Sequence, residues 1–212
     1  MKGRKTIAVL TACLAVAVTS ANAAKVEWST GLAGAVQVDD SFVPDNSLLR
    51  LGVFDITDLE IQANKLDIAY LDVHFTLFAE GGVGDGAGDA AGFWAISSIG
   101  LANPSFVGKP IYLWVFNTST LGSATEHGIF SATPASWVFP DDLALPPSDS
   151  TAIELAQVDQ FVVGSVGPTL NFGTDAAPVF VATYRLSAIP EPTTALLVGM
   201  GLVGALAARR RK

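Results

Sequence analysis

The stretch Ile111-Tyr112-Leu113-Trp114-Val115-Phe116, introduced by Gly108-Lys109-Pro110, constrains the fold of this chain more than any other. Its residues alternate as a strand would place them, with Ile111, Leu113 and Val115 on one face and Tyr112, Trp114 and Phe116 on the other. Neither face is polar, so the strand is expected at the centre of a sheet that is covered on both sides. An exposed sugar-stacking platform of Tyr112 and Trp114 is the competing reading, because aromatic rings offer flat apolar surface with a polar handle. Burial is the stronger expectation, since uninterrupted apolar strands normally lie in a core.

Around this strand the chain is cut into short apolar pieces. Gly34 to Val38 and Leu48 to Phe54 are broken by Asp39-Asp40-Ser41 and Pro44-Asp45-Asn46, the pattern of strands and turns. At Thr57 the pattern changes: Thr57-Asp58-Leu59-Glu60 is a capping-box sequence, and Leu59, Ala63, Leu66, Tyr70 and Val73 recur at helical spacing. One helix is therefore expected over about 58–71, passing into a strand that ends at Glu80. Phe93 to Ile99, Gly128 to Phe130 and Trp137-Val138-Phe139 suit further strands, with Pro140, Pro146 and Pro147 marking turns. Ile153 to Val163 fits neither template cleanly and is read as a short helix leading into Phe161-Val162-Val163. In Val179 to Leu186, Phe180, Ala182, Tyr184 and Leu186 share one face of a last strand, opposite Thr183 and Arg185. The whole reads as a mainly β single domain, a two-sheet sandwich with one helix, over residues 24–187.

Both ends of the chain carry address information. Lys2, Arg4 and Lys5 precede an apolar stretch from Ile7 to Val18, and Ala21-Asn22-Ala23 forms an A-x-A cleavage site. Residues 1–23 thus read as a secretory signal helix removed by signal peptidase at Ala21 and Ala23, with mature protein starting near Ala24. The single cysteine, Cys13, follows Leu10-Thr11-Ala12 and would fit a lipoprotein box, but cutting there would leave Leu14 to Val18 unused. With no cysteine pair, the exported part cannot form a disulfide within itself.

The carboxyl end begins with Pro190-Glu191-Pro192, an extended hinge in which two prolines fix φ and remove backbone donors. Thr193 or Thr194 can cap a helix over the apolar run Ala195 to Ala208, whose fourteen residues cover about 21 Å, short for a bilayer. Arg209, Arg210, Arg211 and Lys212 then hold that end in the cytoplasm. An ordinary C-terminal membrane anchor would share the run and the basic end. The ordered combination over 188–212 resembles the PEP-CTERM sorting signal of exported proteins in bacteria that make extracellular polysaccharide. That resemblance implies recognition of Pro190, Glu191 and Pro192 by an exosortase, which removes the tail, and a route from the inner membrane to the cell surface or beyond. It implies nothing about the chemistry of residues 24–187.

Charge excludes one class of partner. Seven of the 12 basic residues and only one of the 20 acidic ones lie in the two ends, leaving five cations against nineteen anions in residues 24–187, a net charge of −14. Such a surface repels phosphate, so nucleic acid is not an expected partner. Gly81 to Asp89 invites a calcium reading, yet its aspartates do not fall at the spacing of the nonapeptide repeat or of an EF-hand loop, and a hairpin connection is expected instead. No nucleophile elbow, zinc helix, dinucleotide or phosphate-loop signature occurs. Asp72 and His74 would share a face if they lay on a strand, but His127 has no evident place beside them, and no metal or cofactor is expected. Glu60, Glu80, Glu126 and Glu154 could in principle supply a glycosidase pair, although abundance does not make a pair. The expectation is a non-enzymatic surface or matrix protein with extracellular polysaccharide as its candidate partner. A secreted carbohydrate-binding or carbohydrate-active protein is the alternative.

Overall fold

A computed structural model of the chain describes residues 23–88, 90–101, 105–140, 150–172 and 176–190. The signal stretch as far as Asn22, with Cys13, and Asp89, Pro146, Pro147, Glu191, Pro192, Thr193, Thr194, the apolar run 195–208 and Arg209 to Lys212 lie outside the described residues. Among those described, no helix is long and apolar enough to cross a membrane.

The protein is mainly β. In chain order the strands are β1 (Ala23–Ser29), β2 (Ala33–Val36), β3 (Leu48–Phe54), β4 (Phe75–Gly82), β5 (Ala95–Leu101), β6 (Tyr112–Phe116), β7 (Glu126–Ser131), β8 (Ser150–Glu154), β9 (Gln160–Val163), β10 (Ser165–Val166), β11 (Leu170–Asn171), β12 (Phe180–Arg185) and β13 (Ser187–Ala188). They form three sheets. The largest runs β13-β7-β6-β3-β4, with β9 also paired to β7. A second runs β5-β1-β8, and a third runs β10-β12-β11 with β2 parallel to β12 on its other side.

Strand β6 stands inside the largest sheet, antiparallel to β3 on one side and β7 on the other. Its two apolar faces meet two different cores. Leu113 and Val115 join Val26, Trp28, Leu49, Leu51 and Phe130 in the core shared with the other sheets. Trp114 and Phe116 join Ile61, Leu71 and Ile129 under the helices. Trp114 is fully buried, with its ring 5.3 Å from Phe75 and 4.9 Å from Phe116, so the stacking-platform reading fails. Tyr112 is also closed in: its hydroxyl donates to Asp58 Oδ1 at 2.7 Å, and burial holds the phenol protonated.

The single helix expected over 58–71 is two helices, α1 (Asp58–Ala63) and α2 (Ile68–Val73). The capping box forms as expected: the Thr57 hydroxyl accepts from the Glu60 N–H, and the Thr57 N–H donates to Glu60 Oε2 at 2.9 Å. The break follows from short polar side chains competing with the helix ladder. Asn64 Nδ2 donates back to the Glu60 carbonyl at 2.8 Å, and Asp67 Oδ1 takes the Tyr70 N–H at 2.9 Å, starting a second helix. Leu71 and Val73 therefore sit on α2 rather than on a strand.

Two other expectations need correction. Gly81 to Asp89 does not close a hairpin, because β4 and β5 belong to different sheets. Its described part is a tight crossover in which Gly84 N–H donates to Phe93 O and Ala95 N–H to Asp85 O. Gly86 sits there at φ +67°, with no room for a Cβ, which would come 2.0 Å from Ala95 O. Ile153 to Val163 holds β8, a 3-10 turn at Leu155–Gln157 and β9, with no α-helix. On β12 both faces are partly covered: Phe180 is exposed, while Tyr184 and Leu186 of its face and Val181 and Thr183 of the other are buried.

Candidate functional site at the tail junction

The last strand pair decides where the body ends. From β12 the chain crosses between sheets: Leu186 N–H still donates to Val36 O, while Ser187 and Ala188 already pair antiparallel with His127 and Glu126 of β7. Ile189 adds one more rung, its N–H donating to Thr125 O at 2.7 Å. Pro190 has no N–H to give, so the ladder stops there. Pro190 is exposed, and the folded body reaches to within one residue of it.

Beside this rung lies a groove of about 680 Å3 whose walls include Leu66, Asp67, Ala69, Leu121, Ile189 and Pro190. One wall is the break between α1 and α2; the other is the 3-10 turn Leu121–Ser123, braced by bonding among Thr118, Thr120 and Ser123. Leu66 on its wall is 52% exposed, and Leu59 on α1 and Val73 on α2, outside the lining, are 78% and 81% exposed. Leu59 lies four positions before groove-lining Ala63, and Val73 four after Ala69, so each shares a helix face with a groove residue.

His127 ties the helical break to the sheet. Trp114 Nε1 can only donate, so His127 Nδ1 accepts from it at 2.9 Å and Nε2 carries the hydrogen, donating to Lys65 O at 2.7 Å. The carbonyl freed by the helix break is thus satisfied. Burial pushes the imidazole down to about 4, against a weaker upward pull from the Lys65 carbonyl.

The sequence-derived candidates scatter. Asp72 binds Arg50 at 2.6 Å, His74 Nδ1 meets Asp55 at 2.7 Å, and His127 serves Trp114 and Lys65, so these three do not converge. Glu60 is spent on Thr57, whose N–H and hydroxyl hold its carboxyl below the ordinary carboxylate range. Glu80 lies 3.2 Å from Arg50 Nε, Glu126 accepts from the Val38 N–H, and Glu154 closes the 3-10 turn with Gln157. Among the described residues no group of three His, Cys, Asp or Glu side chains is placed to hold a metal. Of the signal-cleavage pair, Ala23 opens β1 opposite Leu101, and Ala21 lies outside the described residues.

Residues 188–212 match the family model of the PEP-CTERM protein-sorting motif. The match begins inside β13, at Ala188, so the PEP-CTERM tail and the folded body share that strand. The motif implies export and sorting to the cell surface, with an exosortase as processing partner. No curated protein and no solved structure matches the chain significantly. Pro190, Glu191 and Pro192 were legible as a linear pattern. The groove was not, because its walls come from residues 63–72, 121–124 and 189–190, which only the β7–β13 pairing brings together.

Proposed function

We propose that residues 24–187 are the body of a non-enzymatic surface or matrix protein, a sandwich-like β domain whose acidic exterior works in contact with extracellular polysaccharide. In this reading signal peptidase cuts after Ala21-Asn22-Ala23, which removes only the first rung of the β1–β5 ladder. Residues 195–208 then anchor the chain in the inner membrane as a helix, with Arg209, Arg210, Arg211 and Lys212 on the cytoplasmic side. The exosortase acts at Pro190, Glu191 and Pro192 and releases the body outward. The observation that carries the reading is the rung from Ile189 to Thr125: the described body makes its last ladder bond just before Pro190, so a cut at the hinge leaves that bond in place.

The alternative, a carbohydrate-binding module, draws on one feature. Phe172 is 51% exposed and packs against Phe93 at 4.7 Å and Phe42 at 5.9 Å, making an aromatic surface patch.

Fractionation and intact-mass analysis of the full-length protein in cells with and without their exosortase test the main reading. The expected result is a body starting near Ala24 and lacking the tail, outside the inner membrane only when the enzyme is present. Retention of the tail in the inner membrane of both strains would leave an ordinary anchor. Incubation of the released body with the strain's own polysaccharide then separates the roles: new reducing ends indicate an enzyme, and saturable binding without turnover a carbohydrate-binding module. A surface protein gives no turnover and at most weak, non-saturating association.

A further inference from the structure

We infer that the groove between the α1–α2 break and the Leu121–Ser123 turn is a docking surface for the membrane-embedded enzyme that processes the tail, a second recognition element beyond Pro190-Glu191-Pro192. The inference rests on the reading that an exosortase acts on this chain, and it follows from a lack of slack. An enzyme cleft that grips an extended hinge needs room on both sides of it. Here the residues on the amino side, Ser187 to Ile189, are hydrogen-bonded into the largest sheet, and no free residue separates Ile189 from Pro190. Whatever closes on Pro190 therefore lies against the groove that Ile189 and Pro190 themselves wall.

The other side is equally short. The five residues Pro190 to Thr194 reach at most about 17 Å before the apolar run Ala195 to Ala208 begins. The groove face is thereby held next to the bilayer surface, where such an enzyme is embedded. Its chemistry suits a protein partner: Leu66 on its wall is exposed, Leu59 and Val73 are exposed on the same two helices beside it, and of the wall carboxylates Asp72 is paired with Arg50 while Asp67 caps α2. The matching surface is an apolar projection with basic residues at its rim. An anionic lipid surface has the wrong sign for Asp67 and for the net negative charge of residues 24–187.

The test uses the full-length protein in its exporting cells, with pulse-labelled precursor followed to the tail-less form. Val73→Glu and Leu66→Glu place a charge in the docking face. Each is expected to slow processing about tenfold, the effect of about 1.4 kcal/mol of lost binding, while signal cleavage and protease resistance of the body stay as in wild type. Val73 is 81% exposed, so its variant carries the test if Leu66→Glu proves protease-sensitive. A six-residue Gly-Ser spacer inserted after Ile189 lets the enzyme reach the hinge without meeting the body, and in that background Val73→Glu should be processed like its spacer-only parent.

Four results overturn the inference or its premise, and they are distinguishable. If Pro190, Glu191 and Pro192 changed to alanine block processing while both groove variants proceed at the wild-type rate, the enzyme reads the tail alone. If the Val73→Glu defect persists behind the spacer, the groove acts by some route other than contact. If wild-type and Val73→Glu chains differ equally in binding to vesicles of phosphatidylethanolamine and phosphatidylglycerol, the face serves lipid. If wild-type protein keeps its tail with and without exosortase, the sorting reading itself fails.

Discussion

Acidification should weaken this fold through His127 before Asp39 or Glu60 contributes. The folded imidazole titrates at about 4, against 6.5 for an unperturbed histidine, because it is buried between Trp114 and the Lys65 carbonyl. A depressed folded value means that the unfolded chain takes up a proton first. The stability supplied by neutral His127 is therefore complete above pH 6.5 and is lost as pH falls, levelling off near pH 4. The gap is worth about 3 kcal/mol in all, of which about 2 kcal/mol is gone by pH 5. Asp39 and Glu60 are also held low, by Ser41 and Thr57 respectively, but their losses begin only below 3.8 and 4.5. Between pH 7 and 5 the slope belongs to the histidine. Urea unfolding of the full-length protein in detergent, followed by tryptophan fluorescence at pH 7, 6 and 5, measures it. His127→Gln should be less stable at pH 7 and show a flatter profile, since it removes the titrating group while His74 remains. The reasoning is refuted if the variant keeps the wild-type slope, or if the folded His127 resonance titrates near 6.5.

Trp114→Ala should cost about 3–5 kcal/mol, because the fully buried ring touches Phe54, Phe75 and Phe116; calorimetry showing an unchanged melting temperature would contradict the burial. Gly86→Ala and Gly88→Ala should separate, since both sit at left-handed φ but only Gly86 has Ala95 O in the way. Gly88→Ala is expected to lose about 1–2 kcal/mol and Gly86→Ala clearly more, read from urea midpoints. Thr57→Ala should cost about 1 kcal/mol by removing the cap of α1, and amide exchange should rise in residues 58–63 before it rises in the sheets.

The elements legible in the sequence were those whose cause is local. Ile111 to Phe116 declared its two buried faces because every member is apolar, and Thr57 with Glu60 declared a helix start because the two caps are reciprocal. The helix end was hidden by the same apolar spacing that revealed its start: Leu66, Tyr70 and Val73 continue the period through a break set by Asn64 and Asp67, whose polar caps outweigh it. The burial of β12 was not legible, because alternation gives two faces without saying which is inside, and here Tyr184 and Leu186 on one face and Val181 and Thr183 on the other are all buried. The glycine crossover failed for a related reason, since a hairpin and a passage between sheets use the same turn residues. At the junction, the linear motif could be read directly. Leu66, Leu121 and Ile189, separated by 55 and 68 residues, could not be joined without knowing that β13 pairs with β7.

The pairing of β2 with β12 sets a sequence of events as well as a shape. It aligns residues 33–36 with 182–185, so among the first residues to emerge on the far side of the membrane are some whose partners emerge among the last. A chain exported from its amino end cannot finish the third sheet until Arg185 has crossed, and β13 follows only three residues later. By then the next residues to arrive are those of the sorting tail. Completion of the fold and emergence of the sorting motif are therefore nearly simultaneous, and the motif appears on a body that has just become able to close.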